Sequence, residues 1–470
     1  MKKSEEFLMY LDHIGSAVGR ADRRAQFKSY CQGLMLPLKR KSIEPLAASI
    51  DPEHVRSVHQ SLHHFVADSP WSDEAVLEEV KAWVLPRMNL TESGPVFWIT
   101  DDTGIPKQGT HSVGVARQYC GQLGKTDNCQ VAVSLSIATA AASLPIKYQL
   151  YLPEAWTTDP ARCKEARVPA GICFATKPEI SLAQMRAAKA AGVPGDIALA
   201  DAGYGDNTDY RDGITELGMR YAVGIKTGTK VWAPGCEALP AKPWSGRGRK
   251  PTHLRRGPDN QPVTVKALAL SLPAKAWRKT TWREGTNTSL SSRFAAVRVR
   301  AAHGDTQATV LRAEEWLLIE WPKGEQEPTK YFLSTLPVET TRKELVDVVK
   351  MRWRIERDYQ ELKQEFGLDN FEGRSWRGFH HHATLCIAAY GFLIGERLIH
   401  GESVKKNRWF RKKPALPEGY TPRGAAATSA TRGELDCDSA LGARCRNRPA
   451  PASLDRLRAG FGRQSAFLTQ

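Results

Sequence analysis

Val96-Phe97-Trp98-Ile99-Thr100-Asp101-Asp102 and Ile197-Ala198-Leu199-Ala200-Asp201 are two apolar runs of strand length, each ending on a carboxylate. Runs of four to eight apolar residues read as strands buried on both faces. Gln130–Ile137 and Ile146–Leu152 alternate apolar and polar residues, and Tyr221–Ile225 is a further short apolar run. A helical stretch, Leu182–Ala191, closes at Gly192. Three strands, a helix, a strand, a helix and a strand predict an α/β fold with Asp102 and Asp201 at strand ends. Mg²⁺ takes oxygen ligands, so carboxylates that converge from distant positions are candidate metal ligands. Acidic residues are also common at strand ends without that role.

A later segment supplies a third carboxylate. Val348–Glu356 continues a helical pattern in which Arg352, Glu356 and Lys363, at offsets of four and eleven, share one face. Ile355, Tyr359, Leu362 and Phe366 form a second stripe with the spacing of a buried seam. Taken alone, Arg352 and Glu356 read equally as an ordinary i,i+4 ion pair.

Arg352-x-x-x-Glu356-x-x-x-x-x-x-Lys363 matches the signature Y-x-x-R-x-x-x-E-x-x-x-x-x-x-K of DDE-class transposases. Asp101-Asp102-Thr103-Gly104-Ile105-Pro106-Lys107, Leu199–Gly205 and Phe371–Gly378 look like the insertion-sequence 701 branch of the insertion-sequence 4 superfamily. The chain resembles that family from about residue 10 to 420, with Val349 where the signature has tyrosine. The resemblance implies a ribonuclease-H-like core with a β-rich insertion between the second Asp and the Glu, plus an N-terminal helical domain. It implies that Asp102, Asp201 and Glu356 are catalytic and bind Mg²⁺, with Mn²⁺ as a substitute. Asp102 is preferred to Asp101 because the family's first aspartate is followed directly by threonine, here Thr103. Arg352, Trp353 and Lys363 become DNA-contact candidates. The implied partners are double-stranded DNA with terminal inverted repeats, target DNA and a second copy of the chain. The alternatives are an inactive end-binding relic and a hydrolytic nuclease on the same fold.

Composition agrees. Among 470 residues, 67 Lys+Arg against 51 Asp+Glu give a formal charge of +16, which favours a polyanionic partner. No sequence stretch approaches the roughly 18–20 apolar residues of a spanning helix, so no membrane is expected, and Ala383–Gly395 reads as a buried helix. The nine cysteines form no C-x-x-C pair, which argues against zinc or a disulfide framework and for a cytoplasmic location. The N-terminus leads into no signal-peptide apolar core.

The expected organisation is a helical domain at 1–90, the first part of the core at 91–227, a β-rich insertion at 228–340, the core's C-terminal helices at 341–404 and a basic tail at 405–470 that reads as disordered. The first region carries a basic stretch (Arg20, Arg23, Arg24, Lys28) and a helix at Asp73–Trp83. The insertion carries candidate strands Phe294–Arg300, Trp316–Trp321 and Tyr331–Ser334. Its segment Lys242–Lys250, with Arg247, Arg249 and Lys250, runs on to Arg255-Arg256 without an acidic residue and is a second DNA-contact candidate. Trp282 reads either as a base-stacking residue or as core. His380-His381-His382 would splay by about 100° each on a helix, so helix-start packing or a DNA-backbone contact is expected there rather than a metal. Gly203 and Gly205 make no phosphate loop, since no lysine follows in the required place.

Overall fold

The computed structural model describes residues 2–90, 94–284 and 289–400; the expectation of a disordered basic tail falls outside them. The chain opens with helices α1 (Lys2–Gly15), α2 (Ala21–Met35), α3 (Ile43–Ile50), α4 (Val55–Ala67) and α5 (Asp73–Val84). Strands β1 (Phe97–Pro106), β2 (Ala116–Cys120), β3 (Lys125–Ala138) and β4 (Ser143–Leu150) follow. Next come α6 (Glu154–Thr157), α7 (Pro160–Glu165), α8 (Lys177–Ala190), β5 (Ile197–Ala200), α9 (Ala202–Gly205), α10 (Thr208–Glu216) and β6 (Arg220–Ile225). The third stretch holds β7 (Lys230–Trp232), β8 (Val263–Thr264), α11 (Val265–Ser271), β9 (Arg278–Glu284), β10 (Ser289–Ala301), β11 (Glu315–Trp321) and β12 (Lys330–Ser334). It closes with α12 (Arg342–Lys350), α13 (Trp353–Gln364) and α14 (Trp376–Ile399).

The molecule is α/β, built on one large mixed sheet. Its order is β2-β3-β1-β5-β6-β12-β11-β10-β7-β8, with β4 on β3 and β9 on β10. β1 is parallel to β5, β5 is parallel to β6, and β3 is antiparallel to both β1 and β4. The strands of residues 228–340 continue this sheet through β12, which pairs antiparallel with β6.

Two expectations about element ends need correction. β1 runs on to Pro106, so Asp101 and Asp102 lie within the strand rather than past its end; antiparallel pairing with β3 carries it from Phe97 to Pro106. The helical pattern around Glu356 is broken in two. α12 stops at Lys350, and three-residue bonds from Arg354 N to Met351 O and Ile355 N to Arg352 O restart the chain as α13. Helix starts follow local chemistry: Thr176 with Glu179 and Thr341 with Glu344 form reciprocal caps at α8 and α12.

α14 is 24 residues long and apolar enough to cross a membrane by length and composition, which the sequence reading did not anticipate, yet 83% of its apolar window is buried. α1, α2, α4 and α5 pack around it, and Tyr10 Oη donates to Ala388 O at 2.6 Å. Thus α1–α5 share one core with α14, which includes Phe27, Phe65, Val80 and Leu385.

His380, His381 and His382 are buried near the start of α14. Their ring nitrogens are used on Trp376 O and Leu150 N, on Val66 O and Trp71 O, and on Tyr30 Oη and Gly367 O respectively. Packing is therefore the outcome, and the DNA-backbone alternative is excluded by burial. Burial holds His382 down to about 4, so it is neutral at pH 7; burial also lowers His381, opposed by the Trp71 and Val66 carbonyls at its two ring nitrogens.

Candidate active site

Side chains alternate along a strand, so the register of β1 against β5 sorts the acidic residues. Phe97 pairs with Ile197 and Ile99 with Leu199 in parallel register. All four pack in one cluster with Leu345, Val346, Val349, Ile355 and Tyr359 from α12 and α13. Two residues on, Asp101 and Asp201 fall on that same face, toward α13. Asp102 falls on the opposite face.

The polar contacts agree. Arg352 donates from Nη1 to Asp101 Oδ2 at 2.8 Å and from Nη2 to Glu356 Oε1 at 2.6 Å. Asp102 instead accepts from Lys177 Nζ at 2.8 Å, at the start of α8, and from Tyr204 Oη at 3.1 Å. The doublet is thus split: Asp101 joins Glu356 through Arg352, while the preferred residue, Asp102, faces α8 and α9. The threonine that followed Asp102 gave no information about facing.

Burial pushes the Asp101 carboxyl up to about 7; Arg352 opposes this, and the neighbouring Asp201 and Asp102 charges add to it. Burial pulls on the Arg352 guanidinium too, but Asp101, Glu356 and Asp201 outweigh it and raise its pKa. The site is therefore a cluster of carboxylates restrained by one cation. Among the described residues, the one group of three His, Cys, Asp or Glu ligand atoms within 4.8 Å of each other is Glu6, Glu396 and His400. Asp101, Asp201 and Glu356 are not drawn that close together, and Arg352 bridges Asp101 to Glu356. Three carboxylates, two of which repel each other, are nonetheless a donor set suited to a hard divalent cation.

The supports are specific. Asp201 caps α9 by accepting from Gly203 N at 2.8 Å. A Cβ on Gly205 would run into Gly224 O and Val223, and one on Gly224 would sit 2.8 Å from Ala202 N. These glycines let the turn after Asp201 lie against β6, a reason the sequence reading lacked. α13 is tied to the sheet by Tyr359, whose Oη donates to Asp101 O at 2.9 Å and meets Ser134 Oγ at 2.8 Å. The seam of Ile355, Tyr359, Leu362 and Phe366 is buried, as its spacing predicted.

A profile of the DDE superfamily endonucleases matches residues 12–289. The chain belongs to this family. The matched region of the chain contains Asp101 and Asp201 and ends before Glu356. The chain is also 30% identical over 202 residues to a Microchaete diplosiphon protein named as a probable transposase for insertion sequence element IS701. That alignment covers 43% of this chain and 48% of the relative, so the chain spans about half the length of the relative it matches.

The other candidate residues have distinct places. Lys363 Nζ donates to Gly104 O at 2.8 Å and Gln122 Oε1 at 3.0 Å, away from Glu356. Trp353 starts α13 half-buried, with the Arg354 guanidinium 5.2 Å from its ring centroid. Val349 is buried against the α13 face of the sheet. Arg247, Arg249 and Lys250 lie exposed in the loop between β7 and β8. Arg256 is spent on Asp305 at 2.8 Å and on Ala302 O at 3.0 Å. Trp282 packs edge-on to Phe294, with Lys350 Nζ 4.1 Å from its ring centroid. Of the basic residues near the N-terminus, Arg20 pairs with Asp22 and Lys28 with Asp12.

Proposed function

We propose that the chain is a transposase that cuts DNA at the ends of its element and joins the freed 3′-OH to target DNA. The observation that carries this reading is the convergence of Asp101, within β1, and Asp201, just past the end of the neighbouring parallel strand β5, with Arg352 and Glu356 facing Asp101. The order β4-β3-β1-β5-β6, with β3 alone reversed against β1 among β3, β5 and β6, supports a ribonuclease-H-like core. In this reading residues 228–340 are the insertion before Glu356, and residues 1–90 are an end-recognition region. The relative named for an insertion sequence supports a mobile-element substrate.

Asp101, Asp201 and Glu356 are the residues that would hold Mg²⁺, or Mn²⁺ in its place. When bound, such ions supply charge to the attacking and leaving oxygens of an in-line displacement. Arg352 orients Glu356 and offers its guanidinium to phosphate, a charge-assisted contact. Arg247, Arg249 and Lys250 bind the backbone of duplex DNA. Asp102 acts one step away, fixing α8 and α9 to β1. The working partners are DNA with terminal inverted repeats, target DNA and a second copy of the chain, in the cytoplasm.

The test is strand cleavage and strand transfer with Mg²⁺ on a duplex taken from the DNA flanking the gene. Nicks at the repeat ends and joined products are expected. Cleavage without joining would make the chain a hydrolytic nuclease. End binding that survives EDTA, with no nicking under any metal, would make it an inactive relic.

A further inference from the structure

The hairpin of β2 and β3 folds back onto β1 at Gly104. Its register pairs Tyr119 with Thr126 and Cys120 with Lys125, and its tip is Gly121-Gln122-Leu123-Gly124. Gly124 adopts φ +64, the left-handed conformation that closes the turn at low steric cost. The approach to β1 is tight: a Cβ on Gly104 would lie 2.7 Å from Cys120 Sγ and 3.2 Å from its Cα. Gly104 is three residues beyond Asp101 on the same strand.

Lys363 latches the tip. Its ammonium bonds both Gly104 O and Gln122 Oε1, so it joins α13, β1 and the hairpin. Lys363 lies seven residues after Glu356, about 10 Å along the helix at 1.5 Å per residue. The outer surface of the hairpin is unusual for a strand at the edge of a sheet. Tyr119 is 62% exposed and Leu123 39% exposed. Arg117, two residues before Tyr119 and so on the same strand face, is exposed as well.

Burial rules account for single exposed apolar residues. They do not account for an exposed aromatic beside an exposed arginine on an element fastened to both β1 and α13. We infer that the β2–β3 hairpin is a nucleic-acid contact in which Tyr119 stacks on a base and Arg117 pairs with a phosphate of the strand leaving the site. Aromatic stacking plus a cation suits a nucleic-acid strand of any sequence. At about 3.4 Å of duplex rise per nucleotide, the roughly 10 Å from Glu356 to Lys363 corresponds to about three nucleotides, so this reading puts Tyr119 about three or four nucleotides from a phosphate held at the carboxylates. Lys363 is then a positioning residue for the hairpin, since two of its three donors are engaged by protein acceptors on β1 and the tip. This inference rests on the reading of the chain as a DNA-cutting enzyme.

The experiment uses the full chain and end duplexes in which 5-iodouracil replaces one thymine at successive positions, irradiated with Mg²⁺ absent. Cross-linking is expected to peak three or four nucleotides from the cleavage point and to map to Tyr119. A second set compares affinity for a fully paired end with one frayed at those positions. Tyr119→Ala should lose roughly ten-fold or more on the frayed end, Tyr119→Phe should retain the parent affinity, and the paired end should change little. Gln122→Ala, which removes the latch but not the contact surface, should broaden the cross-linking over neighbouring positions. A parent that binds and cuts end DNA, with Tyr119→Ala indistinguishable from it and cross-links elsewhere, overturns this inference alone. Absence of DNA binding by the parent itself overturns the functional reading with it.

Discussion

Replacing each member of the acidic doublet with its amide separates the two faces of β1. The Asp101 carboxyl, ordinarily near 3.8, is raised to about 7 by burial, opposed by Arg352 and reinforced by Asp201 and Asp102. At about 1.36 kcal/mol per pKa unit, keeping it ionised above pH 7 costs the fold up to about 4 kcal/mol. Asp101→Asn removes that cost and weakens the 2.8 Å pairing with Arg352, so a net gain of about 1–3 kcal/mol above pH 7 is expected. The sign follows from linkage. The folded pKa lies above the unfolded one, so the native carboxyl takes up a proton as pH falls from about 7 toward about 4. The advantage of the amide should shrink through that window and vanish below it.

Activity should move the other way. Loss of a proposed metal ligand should lower cleavage by roughly 10²–10³-fold, the scale of removing one electrostatic partner of a transition state. Asp102→Asn loses contacts to Lys177 and Tyr204 only, and should cost about ten-fold, as a supporting residue does. Thermal melts give a readout independent of DNA. Mg²⁺ at about ten times its Kd should stabilise the parent and Asp102→Asn by about 1.4 kcal/mol and leave Asp101→Asn unmoved. If Asp102→Asn abolishes both the melt shift and cleavage while Asp101→Asn keeps them, the assignment by strand facing is wrong.

Three further outcomes follow from the geometry. Replacing Arg247, Arg249 and Lys250 with Ala should weaken end binding across sequences and reduce the log K against log salt slope by about 0.9 per lost contact; an unchanged slope would make the loop a solvated one. Gly205→Ala should destabilise by about 1–3 kcal/mol, because its methyl meets the Gly224 carbonyl and Val223, and a parental urea midpoint would refute that packing. Tyr359→Phe removes the hydroxyl shared by Asp101 O and Ser134 Oγ and should cost about 1–3 kcal/mol in denaturant unfolding, with no change expected if α13 is held by apolar contacts alone.

The sequence by itself was enough to name the main core strands and helices and the candidate site residues. Period-two alternation, short apolar runs and the stripe of Ile355, Tyr359, Leu362 and Phe366 are local signals, and the strands and helices they named are present. Arg352 and Glu356 were also legible, since an i,i+4 pair lies within one helical turn. Which of Asp101 and Asp102 faces α13 was not. From Phe97 to Thr100, β1 is buried on both faces, so its hydrophobic pattern carries no alternation that says which face meets α13. Only the parallel register with β5 and the docking of α12 and α13 decide it. The same holds for Lys363, whose acceptors on Gly104 and Gln122 are more than 200 positions away in sequence. It holds for the three histidines, whose partners include backbone atoms of Val66, Trp71 and Leu150. Local chemistry can be read from neighbours in sequence. What a side chain faces across a core depends on contacts between distant segments, and only the folded chain supplies those.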